Sequence, residues 1–266
     1  MKKLFTLLAL TISFIMNAQL TAVTEGGNTG QRLSTSNASN HGNIGSDAVD
    51  LSVQSSANST RGATGFKAVA MGSNTTASGS ISTAMGNGTE ATGSRSTAMG
   101  SGTLASGNNS TAMGYQTTAS GHKTTAMGAQ TIASDYASLV IGQYNSSGSS
   151  ATSASSFSTS APAFVIGNGV DSSNKSDAFK VMFNGDATVS NDLTVSGDVV
   201  ISSDARLKSN IVSLGSTLPK LLQIDGKSYE KDGKQRIGVL AQEIQEVFPE
   251  LVIEDGNEML AVNYQG

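Results

Sequence analysis

The sequence predicts a mainly β protein built as a parallel solenoid, and three observations carry that prediction. A short pattern returns between Ala63 and Gly142 at a fixed step of 14 residues. No residue is inserted or lost between copies, and every copy but the last holds two glycine-marked corners separated by short alternating stretches. A constant step of this kind is the signature of stacked turns that each contact only their neighbours.

The first marker is the pair Met71/Gly72, Met85/Gly86, Met99/Gly100, Met113/Gly114 and Met127/Gly128, with Ile141/Gly142 taking the next turn. The second is Ala63-Thr64-Gly65, Ala77-Ser78-Gly79, Ala91-Thr92-Gly93, Ala105-Ser106-Gly107 and Ala119-Ser120-Gly121, decaying to Ala133-Ser134-Asp135. A turn this short has room for two strands of about five residues and two tight corners. Within Ser82 to Gly86, alternation puts Thr83 and Met85 on one face and Ser82 and Ala84 on the other. Val69 and Leu139 replace the Thr, so the Thr/Met face is the apolar one and is expected to look into the roll. A ladder of flexible thioethers fills a narrow interior well, which favours packing over metal binding. The small, flat Ser/Ala face is expected to look outward and to admit close approach of another copy. Gly86-Asn87-Gly88 and Gly100-Ser101-Gly102 lack the helix and Lys of a phosphate loop and read as corners.

At the start of the chain, Lys2 and Lys3 precede an apolar run from Leu4 to Met16, followed by Ala18-Gln19. This is the pattern of a secretory signal peptide over residues 1–18, with an apolar core too short to span a bilayer stably. A secreted or cell-surface product with no membrane span after signal removal is expected. The chain has no cysteine, which excludes a lipoprotein anchor and disulfides. Its net charge of -4 gives no basic footprint for nucleic acid or anionic lipid. The low charged and aromatic content would read as disorder in an aperiodic chain, but the periodicity overrides it. His41 and His122 are far apart in sequence and are expected to be solvated surface histidines, so neither a metal site nor a cofactor is expected. Glu90 and Asp135 are isolated, which leaves no paired carboxylates for glycosidase chemistry.

Residues 19–62 are expected to be loop except for Ala48-Val49-Asp50-Leu51-Ser52, a strand placed to cover the open end of the roll. Over residues 143–202 a Ser-rich loop from Asn145 to Ser160 gives way to a β-rich neck from 163 to 202. Its strands are Ala163 to Gly167 and Phe179 to Phe183, the latter closed by Asn184-Gly185-Asp186, and Val189, Leu193, Val195, Val199 and Ile201 follow at mostly even spacing. At Ser202 the small-residue bias ends, and residues 203–266 read as a small α+β domain. A short helix is expected over Ser213 to Leu222, then a strand at Lys227 to Glu230 closed by Asp232-Gly233. A second helix carries Ile237, Leu240, Ile244 and Val247 up to Pro249, and a hairpin joins Leu251-Val252-Ile253 to Met259–Tyr264 around Asp255-Gly256.

The recurring STAMG run with its Ala-x-Gly corners, over residues 63–142, resembles the head repeat of trimeric autotransporter adhesins of the YadA-like type. The resemblance implies a left-handed parallel β-roll with three chains side by side, hence a homotrimer meeting a surface ligand that the sequence does not name. Nothing in the sequence resembles the membrane β-barrel anchor such adhesins carry.

A second resemblance lies in SDARLKSNI at Ser203 to Ile211, IGVLAQEIQEVFPELV at Ile237 to Val252 and VNY at Val262 to Tyr264. These are similar to the intramolecular chaperone domain of endosialidase-type phage tail spikes and fibres, a self-cleaving serine peptidase family. The resemblance implies a domain that trimerises, helps the preceding β-structure to fold and then cuts itself off, with Ser203 as nucleophile and Lys208 as base. A hydroxyl is a weak nucleophile, and a desolvated, neutral Lys is a known alternative to a His base. On spacing alone, Ser203 and Asp204 would be a turn or helix cap and Arg206 and Lys208 a solvated face. Ring geometry favours attack on the carbonyl of Ser202, whereas the resemblance implies the bond between Ser203 and Asp204, so the expectation is a bond adjacent to Ser203. Gln242 could orient that loop. In the family the VNY strand leads into a long helix that forms a coiled-coil trimer, and the stop at Gly266 leads to the expectation that the domain is truncated. Two alternatives stand beside this reading: a structural adhesin whose C-terminal domain only trimerises, and a phage-derived tail fibre.

Overall fold

The computed structural model describes residues 20–199, 202–231, 233–254 and 259–263. The expected signal peptide, Ile201, Asp232, the Asp255-Gly256 turn and Tyr264 lie outside the described residues. The chain divides into two compact units at Leu193/Thr194.

The first unit is a β-solenoid of about eight turns over residues 31–143. Each repeat contributes a five-residue strand, such as Thr83–Asn87, Thr97–Ser101 and Thr111–Tyr115, to one sheet. It contributes a two-residue strand, such as Glu90–Ala91 or Leu104–Ala105, to a second sheet, so this strand is shorter than the sequence suggested. Successive long strands pair parallel and in register, which sets Met71, Met85, Met99, Met113 and Met127 side by side. The 14-residue step fixes this register, because a slip by one residue would exchange the two faces.

The sidedness of the strands is the reverse of what the sequence suggested. Ala70, Ala84, Ala98, Ala112 and Ala126 are fully buried, facing Ala77, Ala91, Ala105, Ala119 and Ala133 of the second sheet. Met71 and Met127 are 37% and 38% exposed, and the Met and Thr positions between them are half-buried on the outer surface. Between two sheets joined by such tight corners the repeats enclose space for small side chains, and larger ones enter only toward the ends, at Ile44, Val140 and Val165. The interior is accordingly Ala with Ser82, Ser96, Ser110 and the threonines 75, 89, 103, 117 and 131, while the thioethers are too long to fit.

The glycines of the Met-Gly pairs need the same correction. Gly72, Gly86, Gly100, Gly114 and Gly128 were expected at corners, but each sits inside a long strand. Gly72 and Gly128 are exposed along with Met71 and Met127 beside them, and the three glycines between are half-buried. What they share is backbone: φ is 112° at Gly72, 126° at Gly86, 119° at Gly100, 121° at Gly114 and 117° at Gly128. A Cβ on Gly72 would lie 2.1 Å from the carbonyl oxygen of Gly86, and one on Gly100 or Gly128 would lie 2.0 Å from that of Gly114 or Gly142. These positions are glycine because the next turn passes against them, and exposure to solvent on the outer side does not relieve that contact. Gly100→Ala is therefore expected to cost about 3 kcal/mol or more, from the left-handed backbone plus a clash that only backbone movement relieves. Thermal unfolding followed by far-UV circular dichroism would read the loss.

The N-terminal segment is more ordered than expected. Leu20–Glu25 and Asn28–Leu33 form an antiparallel hairpin where loop was expected, and Val49–Val53 lies inside the sheet, paired on both sides, rather than at its end. Behind it a buried polar cluster replaces the alanines. Asp50 Oδ2 lies 2.8 Å from His41 Nδ1 and 3.5 Å from Arg32 Nε, and Asp50 Oδ1 accepts from the Ser52 amide and hydroxyl. Arg32 also pairs with Glu25 at 2.6 Å and donates to the Gly42 carbonyl. His41 is thus 7% exposed and not a solvated surface residue, because only the fold brings Asp50 beside it; His122 is half-buried.

Burial pushes the Asp50 carboxyl up, but hydrogen bonds from His41 and Ser52 outweigh it and hold the group below its ordinary value. A depressed carboxyl contributes stability that is present above its unfolded pKa, about 3.9, and is lost as pH falls through the folded value. Asp50→Asn is expected to lower stability at neutral pH by about 3 kcal/mol and to flatten the acid arm of the profile below about pH 4, read by melts across pH.

At the other end of the roll, Asn145 occupies the position of the buried threonines and closes the short-strand sheet. It accepts from the Ile132 amide at 2.8 Å and donates to the Ile132 carbonyl at 2.9 Å. Buried Asp135 accepts from the amides of Thr152 and Ser153, which pins the Ser-rich loop. Pro162–Asn168, Asp177–Met182 and Ala187–Val189 extend the long sheet, the first of them parallel to Leu139–Gln143 and the others antiparallel.

In the second unit, Lys227–Lys231 pairs antiparallel with Lys234–Gly238. Ile237 therefore belongs to a strand, 86% exposed, and the helix begins later, over Ala241–Val247. The hairpin pairing with Lys227–Lys231 overrides the helical spacing that seemed to include Ile237. Ile244 is the helix's buried residue, and Phe248 before Pro249 leaves the helical region, as residues preceding proline do. The expected helix at 213–222 is a single turn, Leu218–Leu221. Val252–Glu254 and Leu260–Val262 form the expected hairpin.

Candidate self-cleavage site

Ser203 and Lys208 meet across one turn of backbone. Asp204 caps the short 3-10 helix Ala205–Leu207 by accepting from the Arg206 amide at 2.8 Å. Its carboxylate is gripped again by the Arg206 guanidinium at 2.7 and 3.0 Å. Those hydrogen bonds hold the Asp204 carboxyl below its usual range and raise the guanidinium in return. The turn thus fixed brings Lys208 back toward its start, where Nζ donates to Ser203 Oγ at 2.9 Å. Ser202, Ser203, Asp204, Arg206 and Leu207 line an open cleft, with both candidate bonds on its wall.

The direction of this contact matters chemically. An ammonium donating to a hydroxyl makes neither a base nor a better nucleophile; the amine must first lose its proton, which desolvation promotes. Ser203 and Lys208 are both exposed in the single chain. Gln242 is exposed on its helix. Beside it, Lys227 Nζ lies 3.1 Å from Glu243 and 2.7 Å from Asp225, an ion-pair set that left no signal in the sequence.

The outer face of the roll is the other surface with functional character. The Met ladder continues through Leu51, Leu139 and Ile141 into Phe164 and Ile166, which pair in register with Leu139 and Ile141. They form a partly exposed apolar stripe across the strands. Among the described residues there is no cluster of three metal-ligating side chains. Nor, among them, is any helix long and apolar enough to cross a membrane.

A roll of stacked 14-residue turns with an apolar outer ladder, followed in the chain by a small α+β unit, defines a β-solenoid protein with a separate C-terminal unit. Residues 63–145 match the family model described as YadA head domain repeat, in overlapping segments 63–89, 82–103, 91–117, 105–131 and 119–145. Residues 203–253 match the family model described as chaperone of endosialidase. The chain therefore joins segments matching YadA head repeats to a segment matching an endosialidase-type chaperone domain, which supports an adhesin- or fibre-like architecture. No curated protein and no solved structure matches it.

Proposed function

We propose that this is an exported homotrimeric adhesin-like fibre whose C-terminal domain assists assembly and is then released by cutting its own chain beside Ser203. The domains follow in order: a signal peptide over 1–18, an N-terminal cap over 19–62, head repeats over 63–142, a loop and β-neck over 143–202, and the chaperone from 203.

The observation that carries the reading is the 2.9 Å contact between Lys208 Nζ and Ser203 Oγ, within a segment matching the chaperone family. Once Lys208 is neutral it takes the hydroxyl proton as Oγ attacks an adjacent carbonyl, forming an ester and freeing an amine; water then hydrolyses the ester and restores the hydroxyl. Because the pair is exposed in one chain, covering it on assembly supplies the desolvation the base requires. Cleavage would then wait on trimer formation, releasing the chaperone only after its work is done.

The head supplies the need for such a device. Three parallel chains must begin in register, and long-range β pairing is slow and prone to slip. A trimerising module raises the local concentration of partners. The outward Met ladder is the face by which the three rolls associate.

The test is the mass and N-terminal sequence of the C-terminal fragment produced by the natural full-length chain. A fragment beginning at Ser203 or Asp204 supports self-cleavage and locates the bond; an intact chain in a trimeric sample leaves a structural adhesin whose C-terminal domain only trimerises.

A further inference from the structure

Between residues 63 and 142 the chain has three Lys and Arg side chains, and all three occupy the same position of the 14-residue turn. They are Lys67, Arg95 and Lys123, on alternate turns, with Ile81 and Asn109 between them and Ala137 on the turn after Lys123. All six residues adopt left-handed backbone at one corner of the roll, with φ between 51° and 61°. A single line of hydrogen bonds joins the successive corners: the amides of 81, 95, 109, 123 and 137 donate to the carbonyls of Phe66, Ser80, Ser94, Asn108 and His122. The three cations are therefore stacked in one row.

Adjacent turns lie about 4.8 Å apart, so the charges recur at about 10 Å over a span of about 19 Å. All three are exposed, and none forms an ion pair among the described residues. The repeats offer no carboxylate row to meet them on a partner copy, because their two acids are Glu90, on the short-strand sheet, and Asp135, which is buried. Aromatic rings mark both ends of the row. Lys67 Nζ lies 5.0 Å from the centre of the Phe66 ring and Lys123 Nζ 4.9 Å from that of Tyr136.

We propose that this corner is a docking track for a linear polysaccharide carrying a carboxylate on alternate sugars. The inference rests on the reading of the repeats as an adhesive head and names the chemical class of its ligand. An extended pyranose chain advances per sugar by nearly the spacing between strands, so acid groups on every second sugar fall at the two-turn step of the cations. The uncharged corners between them face the neutral sugars, and the terminal rings offer flat apolar surface to pyranose C–H faces. Solubility alone would be served by cations at any exposed position of the turn and does not require one shared position. A nucleic acid fits less well, since phosphates recur at about 3.4 Å per strand.

The full chain, its oligomeric state first measured by light scattering, would be titrated calorimetrically. The probes are a hexasaccharide of alternating glucuronate and N-acetylglucosamine, the corresponding disaccharide, neutral dextran and a single-stranded oligonucleotide. The hexasaccharide, which places three carboxylates along the row, is expected to bind, with binding weakened by added salt. The disaccharide and dextran are expected not to bind. Arg95→Gln is expected to weaken binding about two- to five-fold, and the triple variant K67Q/R95Q/K123Q to abolish it with the circular dichroism spectrum unchanged. Absence of hexasaccharide binding, binding that survives the triple variant, or preference for the oligonucleotide would each overturn the track. A chain that binds but is monomeric supports the track and removes the trimer reading, so the two fail separately.

Discussion

Ala98→Leu is expected to unfold the roll, whereas Met99→Lys, one residue further along, is expected to leave each roll folded and disperse the proposed trimer. Ala98 is fully buried between two sheets lined by alanine methyls and small hydroxyl side chains. Its long-strand neighbours in the turns above and below are Ala84 and Ala112, which leave no cavity to absorb a branched side chain. Overpacking a tight core costs typically about 1–3 kcal/mol and occasionally more. Here the high end applies, because the sheets separate only by breaking ladder hydrogen bonds in adjacent turns. Far-UV circular dichroism melts should show a depressed or absent transition. Met99 projects from the opposite face, half-buried between Met85 and Met113, so a charge there still reaches water in a single chain and is taken out of water only where copies associate. Light scattering should then report a single chain with an unchanged dichroism spectrum. The reverse pattern, tolerance at 98 and collapse at 99, would put the Met ladder back inside the roll.

The second large effect is expected at the C-terminal domain. Wild-type chain should give two bands on a denaturing gel, while Ser203→Ala and Lys208→Ala should each give one, with cleavage reduced by at least about a thousand-fold. Lys208→Arg separates chemistry from architecture. Its guanidinium keeps the charge and a hydrogen bond to the Ser203 hydroxyl but stays protonated, so it cannot act as base. A cut Lys208→Arg chain would show that the 2.9 Å contact positions the turn and nothing more. Asp204→Asn tests the cap: loss of the carboxylate grip on Arg206 should loosen the turn and slow cleavage without abolishing it.

Much of this architecture was legible in the sequence because stacking is a one-dimensional problem. A constant step forces parallel, in-register strands, and the glycines that recur with it mark where each turn's backbone passes closest to the next. The change of composition at Ser202 falls after the division between the compact units, at Leu193/Thr194, and Ser203 and Lys208 stand out through the resemblance of SDARLKSNI rather than by their spacing. Other features carried no such signal. The hairpin Leu20–Leu33 is an exception, since Gly26-Gly27 supplies its two-residue turn, while pairing of Asn28–Leu33 to Val49–Val53 holds it in the sheet. His41 reads as a surface residue until the fold sets Asp50 against it. Gly72 and Gly128 read as corners because a recurring glycine usually marks one, yet here the close approach falls in mid-strand. Ile237 fits a helical period, but the partner strand Lys227–Lys231 claims it.

By itself, then, the sequence determined the repeat and its register, since both follow from residues compared with their own copies; the two domains are told by their resemblance to known families. Only the tertiary structure decided which side of the strand is the inside. Alternation separates two faces without signing them, and an apolar face need not be an interior when another chain can cover it. The space between the sheets made that choice, being wide enough for Ala98 and too narrow for Met99.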